Sequence, residues 1–594
     1  MHNPPAHSLC AVFQRTAQVF PGKVALRTPD DSVAYTWAEY AEHVRKISEG
    51  LHALGVRRGD AVALMMTNRP EFHLVDCAAL HLGATPFSIY NTLAPGQITH
   101  LLDNARNRVV ICEEQFIDRV RKADTNGRID HLVCVDGHPA GAMTLDELEA
   151  QASASFDFTA TWQAVDPADV ATIIYTSGTT GPSKGVELTH ANLLAELDAM
   201  ADVMQVGHDD RVVSYLPDAH LANRWGAHYT NIARGIQITT LANAKELVAT
   251  LPSVRPTFFG AVPQVWYKVK SGVEAAIAAE PGAAKRRLST WAIDTGTKVA
   301  WLRSEGTPVP LLLQVQHALA DRLVLAAMRR RIGLDQVKLA ASGAAAIAPD
   351  AMAFMLGLGV PVCELWGMSE TSCTVTINPP GAIRIGTVGT VVPGGTEITV
   401  TDDGELLVRG PLVMRGYRDD PGRTAEALDS DGWMHTGDIA TIDADGYVKI
   451  VDRKKELIIN TAGKNMSPTT IENAVKLACP LIGSAVAVGD NRPYVVALLT
   501  LDPDACAAYA TKAGLDDPSP AALATDTGLH AVITAGIAEA NSTLSRVEQI
   551  KKFAILPTVW EPGGDEITPT MKLKRKPIAD RYAAEISALY GREL

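Results

Sequence analysis

Cysteine is sparse in this chain of 594 residues and never paired. Cys10, Cys77, Cys112, Cys134, Cys363, Cys373, Cys479 and Cys506 lie scattered, with no CxxC spacing among them. That argues against a disulfide framework and a zinc site, and leaves small core or incidental thiols. No apolar run approaches the ~18 residues of a membrane span, so no integral membrane segment is expected. The opening MHNPPAHSLCAVFQR lacks the basic and then apolar regions of a secretory leader, which makes cytoplasmic residence the expectation. Positive charge is in deficit too: the net charge is −13, which argues against a nucleic-acid partner and means that any phosphate must be held by local chemistry. No repeat of fixed period is visible, so a solenoid is excluded.

What the chain does have is apolar material, 47% of its residues, and a length beyond what one core organises, so two or more domains are expected. From Val24 to about residue 240, β-branched runs such as Ala61 to Met66 and Arg108 to Glu113 alternate with helical stretches such as Trp37 to Leu54, closed by Gly55. That alternation predicts an α/β fold with a largely parallel sheet. After residue 395 the texture changes to short strands and Gly/Asp turns (GELLVRG, DGWMHTGD, ADGYVKIVD), which predicts a small antiparallel β element. Ser467 followed by Pro468 reads as a helix start, and SAVAVGD and YVVALLTLD as a strand pair. The expected organisation is a large N-terminal domain of α/β subdomains plus the β element, residues 1–451, and a smaller α+β domain, residues 452–594, with the boundary at Asp452.

Residues Tyr175 to Gly185 read YTSGTTGPSKG. Glycines Gly178, Gly181 and Gly185 let backbone N–H groups turn toward an anion. Thr176, Ser177, Thr179 and Thr180 offer hydroxyl donors, and Lys184 a positive charge. With the apolar run Val170 to Tyr175 before it and helical character from Thr189 to Met200 after it, the expected arrangement is strand, phosphate loop, helix. A Walker loop is ruled out, because Lys184 follows Ser183 and precedes Gly185.

This SGTTGxxKG segment resembles the phosphate loop of the adenylate-forming superfamily, which includes acyl-CoA synthetases, and further segments in order along the chain extend the resemblance over nearly all of it. Leu365 to Thr371 (LWGMSET) is similar to the family's aromatic-Gly-x-Thr-Glu segment. It implies adenine stacking at Trp366 beside Gly367, a phosphate contact at Ser369 and Mg²⁺ at Glu370. Gly343, in Ala341 to Ala346, resembles the small-residue strand end that borders adenine and the acyl carbonyl. Asp438 of Thr436-Gly437-Asp438 and Arg453 are implied ribose contacts. Lys455 stands at the position of the family's hinge, near 452–456, about which a mobile C-terminal domain turns. Gly463 and Lys464 resemble the loop near the pantetheine arm of CoA. Thr568 to Arg575 (TPTMKLKR) resembles the C-terminal lysine motif in its long-chain form, which aligns Lys572 with the catalytic lysine; a shifted register would select Lys574 or Lys576.

Ser214 to His220 (SYLPDAH) resembles the LPLAH segment of long-chain and bubblegum-type enzymes and makes His220 the candidate neighbour of the substrate carboxylate. Asp218 replaces the usual leucine, Asn223 and Arg224 stand where a glutamate is common, and VPQVWYK (Val262 to Lys268) replaces VPRVWEK. The resemblance implies ATP-dependent activation of a long-chain fatty acid through an acyl-AMP, with Mg²⁺, ATP and CoA. Alternatives are a fatty acyl-AMP ligase serving a carrier protein, activation of another bulky acid, an amino-acid activator pairing Asp218 with an ammonium, and an inactive homologue acting as a binding protein. Residues Ala283 to Arg331 read as a helical insertion whose stripe, Leu288, Trp291, Ala292, Leu319, Leu323 and Ala327, is expected to pack on the core. Its basic ends, Lys285 to Arg287 and Arg329 to Arg331, give the alternative of peripheral contact with an anionic bilayer or a CoA phosphate.

Overall fold

The computed structural model describes residues 7–151, 156–176, 182–461, 464–568 and 572–591. Its N-terminal part is built on the α/β alternation the sequence predicts. Strands Ala61–Met65, Thr85–Ser88, Val109–Cys112, His131–Cys134 and Met143–Thr144 form an all-parallel sheet. Strand Val109–Cys112 is wholly buried, as expected where helices cover both faces. A second sheet joins Arg211–Ser214, Gln237–Thr240 and Val24–Arg27 in parallel, with Ala34–Thr36 antiparallel at its edge. A third sets Phe258–Ala261, Leu339–Ser342 and Val362–Trp366 in parallel. The carboxyl ends of this last group deliver Gly343 and Trp366 to one side of the molecule.

The glycine-rich segment departs from the expected strand, loop, helix order. Strand Val170–Thr176 is followed by a second strand, Lys184–Thr189, that folds back antiparallel, with Tyr175 opposite Gly185 and Thr176 opposite Lys184. The helix begins only at His190, capped by the Thr189 hydroxyl. Its N-terminus therefore stands a full strand away from the loop. Gly185 also has a different task from the one expected: a Cβ there would lie 2.9 Å from Ile173 Cγ2 and 3.1 Å from Arg418 Cβ, so it is glycine for packing.

The turn-rich stretch forms the antiparallel sheet Glu397–Val400, Glu405–Arg409, Met434–Ile442 and Val448–Arg453. Its last strand runs through Arg453, and the first break is the turn Lys454 to Glu456. Beyond it, Ser467 caps helix Pro468–Ala478, and Ile482–Val488 pairs antiparallel with Val495–Leu501. Strand Ile550–Ile555 adds in parallel on the other side. This part has its own apolar cluster, from Ile458 to Ile550. A latch joins it to the sheet before it: buried Asp452 accepts from Ser467 Oγ at 2.5 Å, from Thr469 N at 3.2 Å and from Thr469 Oγ1 at 3.3 Å. Asn473 Nδ2 also donates to Ala346 O at 3.1 Å.

The insertion is helical, as Ala283–Ser304 and a continuous helix from Leu311 to Arg331 with a wide π turn at Asp321–Leu325. The stripe expected to pack on the core is divided. Ala292 is buried and Trp291 half-buried, but Leu288, Leu319, Leu323 and Ala327 face solvent, because Ala320, Val324 and Leu325 supply the buried side. Helix Leu311–Arg331 has the length and mean hydropathy of a membrane span, but Gln314, Gln316, His317, Asp321 and Arg322 interrupt it, so it contains no long apolar run.

A buried charge network bolts the first two sheets together. Arg224, with no exposure, donates through Nη1 to Asp76 at 2.5 Å, through Nη2 to Ser88 Oγ at 2.9 Å and through Nε to the Asp218 carbonyl at 2.9 Å. Burial works against the charge on Asp76, yet Arg224 and His228 hold its pKa below the ordinary value. Removing one partner of such a pair costs about 3–5 kcal/mol. Arg224→Met is therefore expected to lower the urea midpoint by an amount corresponding to that range, and a change within about 0.5 kcal/mol, the size of a neutral surface substitution, would contradict the assignment.

Candidate active site

Widely separated stretches of chain converge at the mouth of the third sheet. Trp366 ends strand Val362–Trp366, and its indole N–H donates to Asp438 Oδ2 at 2.8 Å. Arg453, opposite Asp438 across the neighbouring strand pair, places Nε 2.7 Å from Asp438 Oδ1 and donates through Nη1 to Thr436 O at 3.0 Å. The Asp438 carboxylate is thus held on both oxygens. Burial raises its pKa, against the pull of Arg453 and the indole.

After Trp366 the chain reverses sharply. A Cβ on Gly367 would sit 1.8 Å from Cys373 O, so only glycine fits. Ser372 and Cys373 hold φ of 58° and 108°, sparsely populated for side-chain-bearing residues and typical of strain kept at a functional turn. Within this turn lie half-buried Ser369 and Glu370, which is 8% exposed. Tyr417 donates its hydroxyl to Glu370 Oε1 at 2.9 Å, and the same ring lies 4.6 Å below Lys184 Nζ. Tyr417 is the residue that reading the sequence missed. Strand Gly416–Tyr417 pairs with the strand that follows the glycine-rich loop, a contact between residues more than two hundred positions apart, and no local pattern signals it.

Thr176 and Lys184 flank the loop as cross-strand partners, and Gly343 follows strand Leu339–Ser342 with its would-be Cβ 2.7 Å from Leu365 Cδ1. Ser177, Gly178, Thr179, Thr180, Gly181 and Gly463 lie outside the described residues. Lys455 is exposed in the turn after Arg453, where Lys454 instead takes the ion pairs to Asp403 and Glu405. Lys464 is exposed between two short strands, its backbone N–H donating to Asn460 Oδ1 at 2.9 Å.

The C-terminal lysines separate clearly. Lys574 donates to Gly564 O at 2.7 Å, Lys576 is exposed, and Arg575 clamps Glu472 at 2.6 and 3.0 Å and Glu456 at 3.0 Å. Lys572 is exposed too, but of the three lysines it is the one felt by Arg453, Asp438, Glu370 and His220. Enclosure by protein comes first and Arg453 second in lowering its pKa, while Asp438, Glu370 and Glu456 pull the other way. By surface area, however, Lys572 is exposed, so water weakens both the dehydration and the pull of the charges around it.

His220 faces the same lysine. Enclosure first, and Lys572 second, lower its pKa to about 4, so the ring is neutral at physiological pH. Nδ1 accepts from Ala222 N at 3.1 Å, which leaves the proton on Nε2 as a donor. The departures around it form a matched set. Asp218 accepts from Asn223 Nδ2 at 2.6 Å and from Asn68 Nδ2 at 3.3 Å, and burial raises it to about 7. Tyr267 accepts from Ala348 N at 2.9 Å and ties its helix to the chain after Gly343.

Chemically, the cleft offers two cations (Lys184, Lys572), a third paired to Asp438, a neutral imidazole donor and one carboxylate. Among the described residues no three His, Cys, Asp or Glu side chains converge as a metal cage. Glu370 nevertheless fits Mg²⁺, which is commonly bound by one or two carboxylates with phosphate oxygens and water.

The chain is similar to known proteins over nearly its whole length. The family model for the AMP-binding enzyme matches residues 13–418, and that for the AMP-binding enzyme C-terminal domain matches residues 455–594. FadD11 of Mycobacterium tuberculosis, to which a fatty-acid–CoA ligase activity is ascribed, is 53% identical over 76% of this chain and 79% of its own. Long-chain-fatty-acid–CoA ligase FadD15 of Mycobacterium bovis is 37% identical over 94% and 92%. The bubblegum-type ligase ACSBG2 of Xenopus laevis is 31% identical over 99% and 84%. Among solved structures, the adenylation domain of a Mycobacterium chelonae carboxylate reductase superposes with a TM-score of 0.78 at 19% identity, over 99% of this chain and 92% of that one.

The His220 assignment has a direct readout. Its folded pKa lies below the ordinary 6.5, so the stability carried by the neutral ring is complete above 6.5 and drains away as pH falls toward about 4. In a histidine-labelled sample, with His220→Gln to assign the resonance, the ring signals should stay constant between about pH 8 and pH 6, where an unperturbed histidine titrates. A midpoint near 6.5 would overturn the neutral-donor role.

Proposed function

Because this chain belongs to the AMP-binding enzyme family, we propose that it activates a long-chain fatty acid with ATP and transfers the acyl group to CoA. A carboxylate cannot expel oxide, so it must first gain a leaving group. Its oxygen attacks the α-phosphorus of ATP, the bond to the β-phosphate oxygen breaks, and pyrophosphate departs, leaving an acyl-AMP. The CoA sulfur then attacks the acyl carbon, the carbon–oxygen bond to AMP breaks, and the thiol proton is released.

In the first step two anions must meet, and the protein's work is positioning and charge stabilisation. The observation that carries the reading is Lys572, brought by the C-terminal segment into the field of Asp438, Arg453, Glu370 and His220. There it bridges carboxylate and α-phosphate, while His220 Nε2 donates to the other carboxylate oxygen. Lys184 and the hydroxyl-rich loop hold the outer phosphates, and Ser369 contributes a donor. Trp366, Gly367 and Gly343 border the adenine, and Asp438 with Arg453 holds the ribose. Mg²⁺ bound at Glu370 would supply charge neutralisation at the phosphate oxygens.

Domains 1–451 and 452–594 are proposed to swing about Lys455 between the two steps, moving Lys572 out and Gly463 and Lys464 toward the pantetheine arm. The names of the relatives support the fatty acid and CoA. The amino-acid alternative loses its motive, because Asp218 spends both oxygens on Asn223 and Asn68. Eight free thiols support the cytoplasm, and the net charge of −13 supports small-molecule rather than nucleic-acid partners.

ATP/pyrophosphate exchange dependent on a long-chain acid tests the reading. Lys572→Ala should cut exchange by about 10²-fold or more while leaving thioester formation from supplied acyl-AMP within a few-fold; equal loss in both assays would contradict the role. Lys455→Pro should preserve exchange and slow CoA transfer by about tenfold or more, because proline locks φ at the turn. Unchanged transfer would remove the hinge from this position.

A further inference from the structure

Helix Leu311–Arg331 is apolar on the side that faces water. Leu311, Leu312, Val315, Leu319 and Leu323 are each between 50% and 77% exposed. Four of them recur every fourth residue, which gathers them along one side of the helix. The opposite side, Ala320, Val324 and Leu325, is buried in the second apolar core cluster, so the helix lies flat on the domain. At 1.5 Å per residue the face from Leu311 to Leu323 is about 18 Å long.

The unpaired charges along it are of one sign. Arg322, Arg330 and Arg331 are exposed and make no ion pair among the described residues. The helix carries a single acidic residue, Asp321, and Arg329 takes it at 2.6 Å. Arg287 adds a further exposed cation at the start of helix Ala283–Ser304, which packs alongside. A chain of net charge −13 has here gathered free arginines beside bare leucines. A second copy is disfavoured as the cover, since a two-fold contact supplies only this same surface, whose one helix carboxylate, Asp321, is already taken by Arg329, so the free arginines would gain no partner. Spanning is disfavoured as well, because Asp321 and Arg322 stand at mid-length and the buried side is committed to the core.

We propose that this face docks the protein on an anionic lipid bilayer, the helix lying in the headgroup plane with its leucines in the acyl boundary and its arginines on lipid phosphates. The acidic remainder of the surface does not prevent this, because charges more than about 8 Å from the membrane are screened at physiological salt. The same core cluster that seats the helix continues through Trp266 to Ile347 and Ala348, next to the candidate site. Resting on the proposed reaction, this gives the docking a purpose, since a long-chain acid dissolves in the bilayer and not in water. The docking itself stands on the surface alone.

Flotation of the full chain with phosphatidylglycerol/phosphatidylcholine vesicles, without substrates, tests it independently of turnover. The wild type should float with these vesicles and less with pure phosphatidylcholine. L319E/L323E should lower the bound fraction by about tenfold or more. R322E/R330E/R331E should abolish the preference for the anionic lipid. Both variants change exposed positions and should keep the wild-type circular dichroism and the wild-type pyrophosphate release with a water-soluble medium-chain acid. A wild type that stays at the bottom of the gradient would overturn the proposal, as would L319E/L323E floating as well as the wild type. So would sedimentation showing that L319E/L323E only converts a dimer to a monomer. Flotation without any acid-dependent exchange would instead fault the proposed reaction and leave the docking intact.

Discussion

The site depends on holding like charges together. Arg453 sits close enough to Lys572 to disfavour its proton, and Asp438, Glu370 and Glu456 pull the other way. None of these carboxylates is loose. Asp438 is fixed by Trp366 and Arg453, Glu370 by Tyr417, and Glu456 by Arg575. The cations are therefore positioned through their counter-ions, and each counter-ion is positioned through a partner from a distant part of the chain. That is how a protein of net negative charge can build a pocket for two anionic groups: the positive field is local, and its cost is spread over several strand ends.

Much of this was legible before any coordinates. Long β-branched runs became buried parallel strands, Ser467-Pro468 became a helix cap, and the turn-rich stretch became an antiparallel sheet, because in each case local preference and final environment agree. The order of the motifs placed Trp366, Asp438, Arg453 and Lys572 as candidates, and the fold brings them together. The choice of Lys572 over Lys574 needed the structure, since only packing shows that Lys574 is spent on a carbonyl.

The misreadings share one cause, which is that partners far apart in sequence decide the outcome. Lys184 to Thr189 is short and of mixed polarity, and it becomes a strand because Val170–Thr176 and Gly416–Tyr417 pair with it on either side. Asp218 and Asn223 look like two separate losses of pattern, yet they are one hydrogen-bonded exchange. Leu319 and Leu323 have helical spacing like any core stripe. Periodicity says only that they share a face, and the neighbouring Ala320, Val324 and Leu325 had already taken the core side.

The Asp452 carboxylate belongs to the N-terminal sheet by its backbone and to the C-terminal helix by the bonds it accepts from Ser467 and Thr469. On the proposed turn of the chain at Lys455, those donors would be pulled away together and a buried carboxylate left bare. With hydrogen bonds to a charged acceptor contributing about 1.5–3 kcal/mol each, the carboxylate would then act as a detent. A ligand in the cleft would have to repay those bonds before the proposed swing could carry Lys572 away.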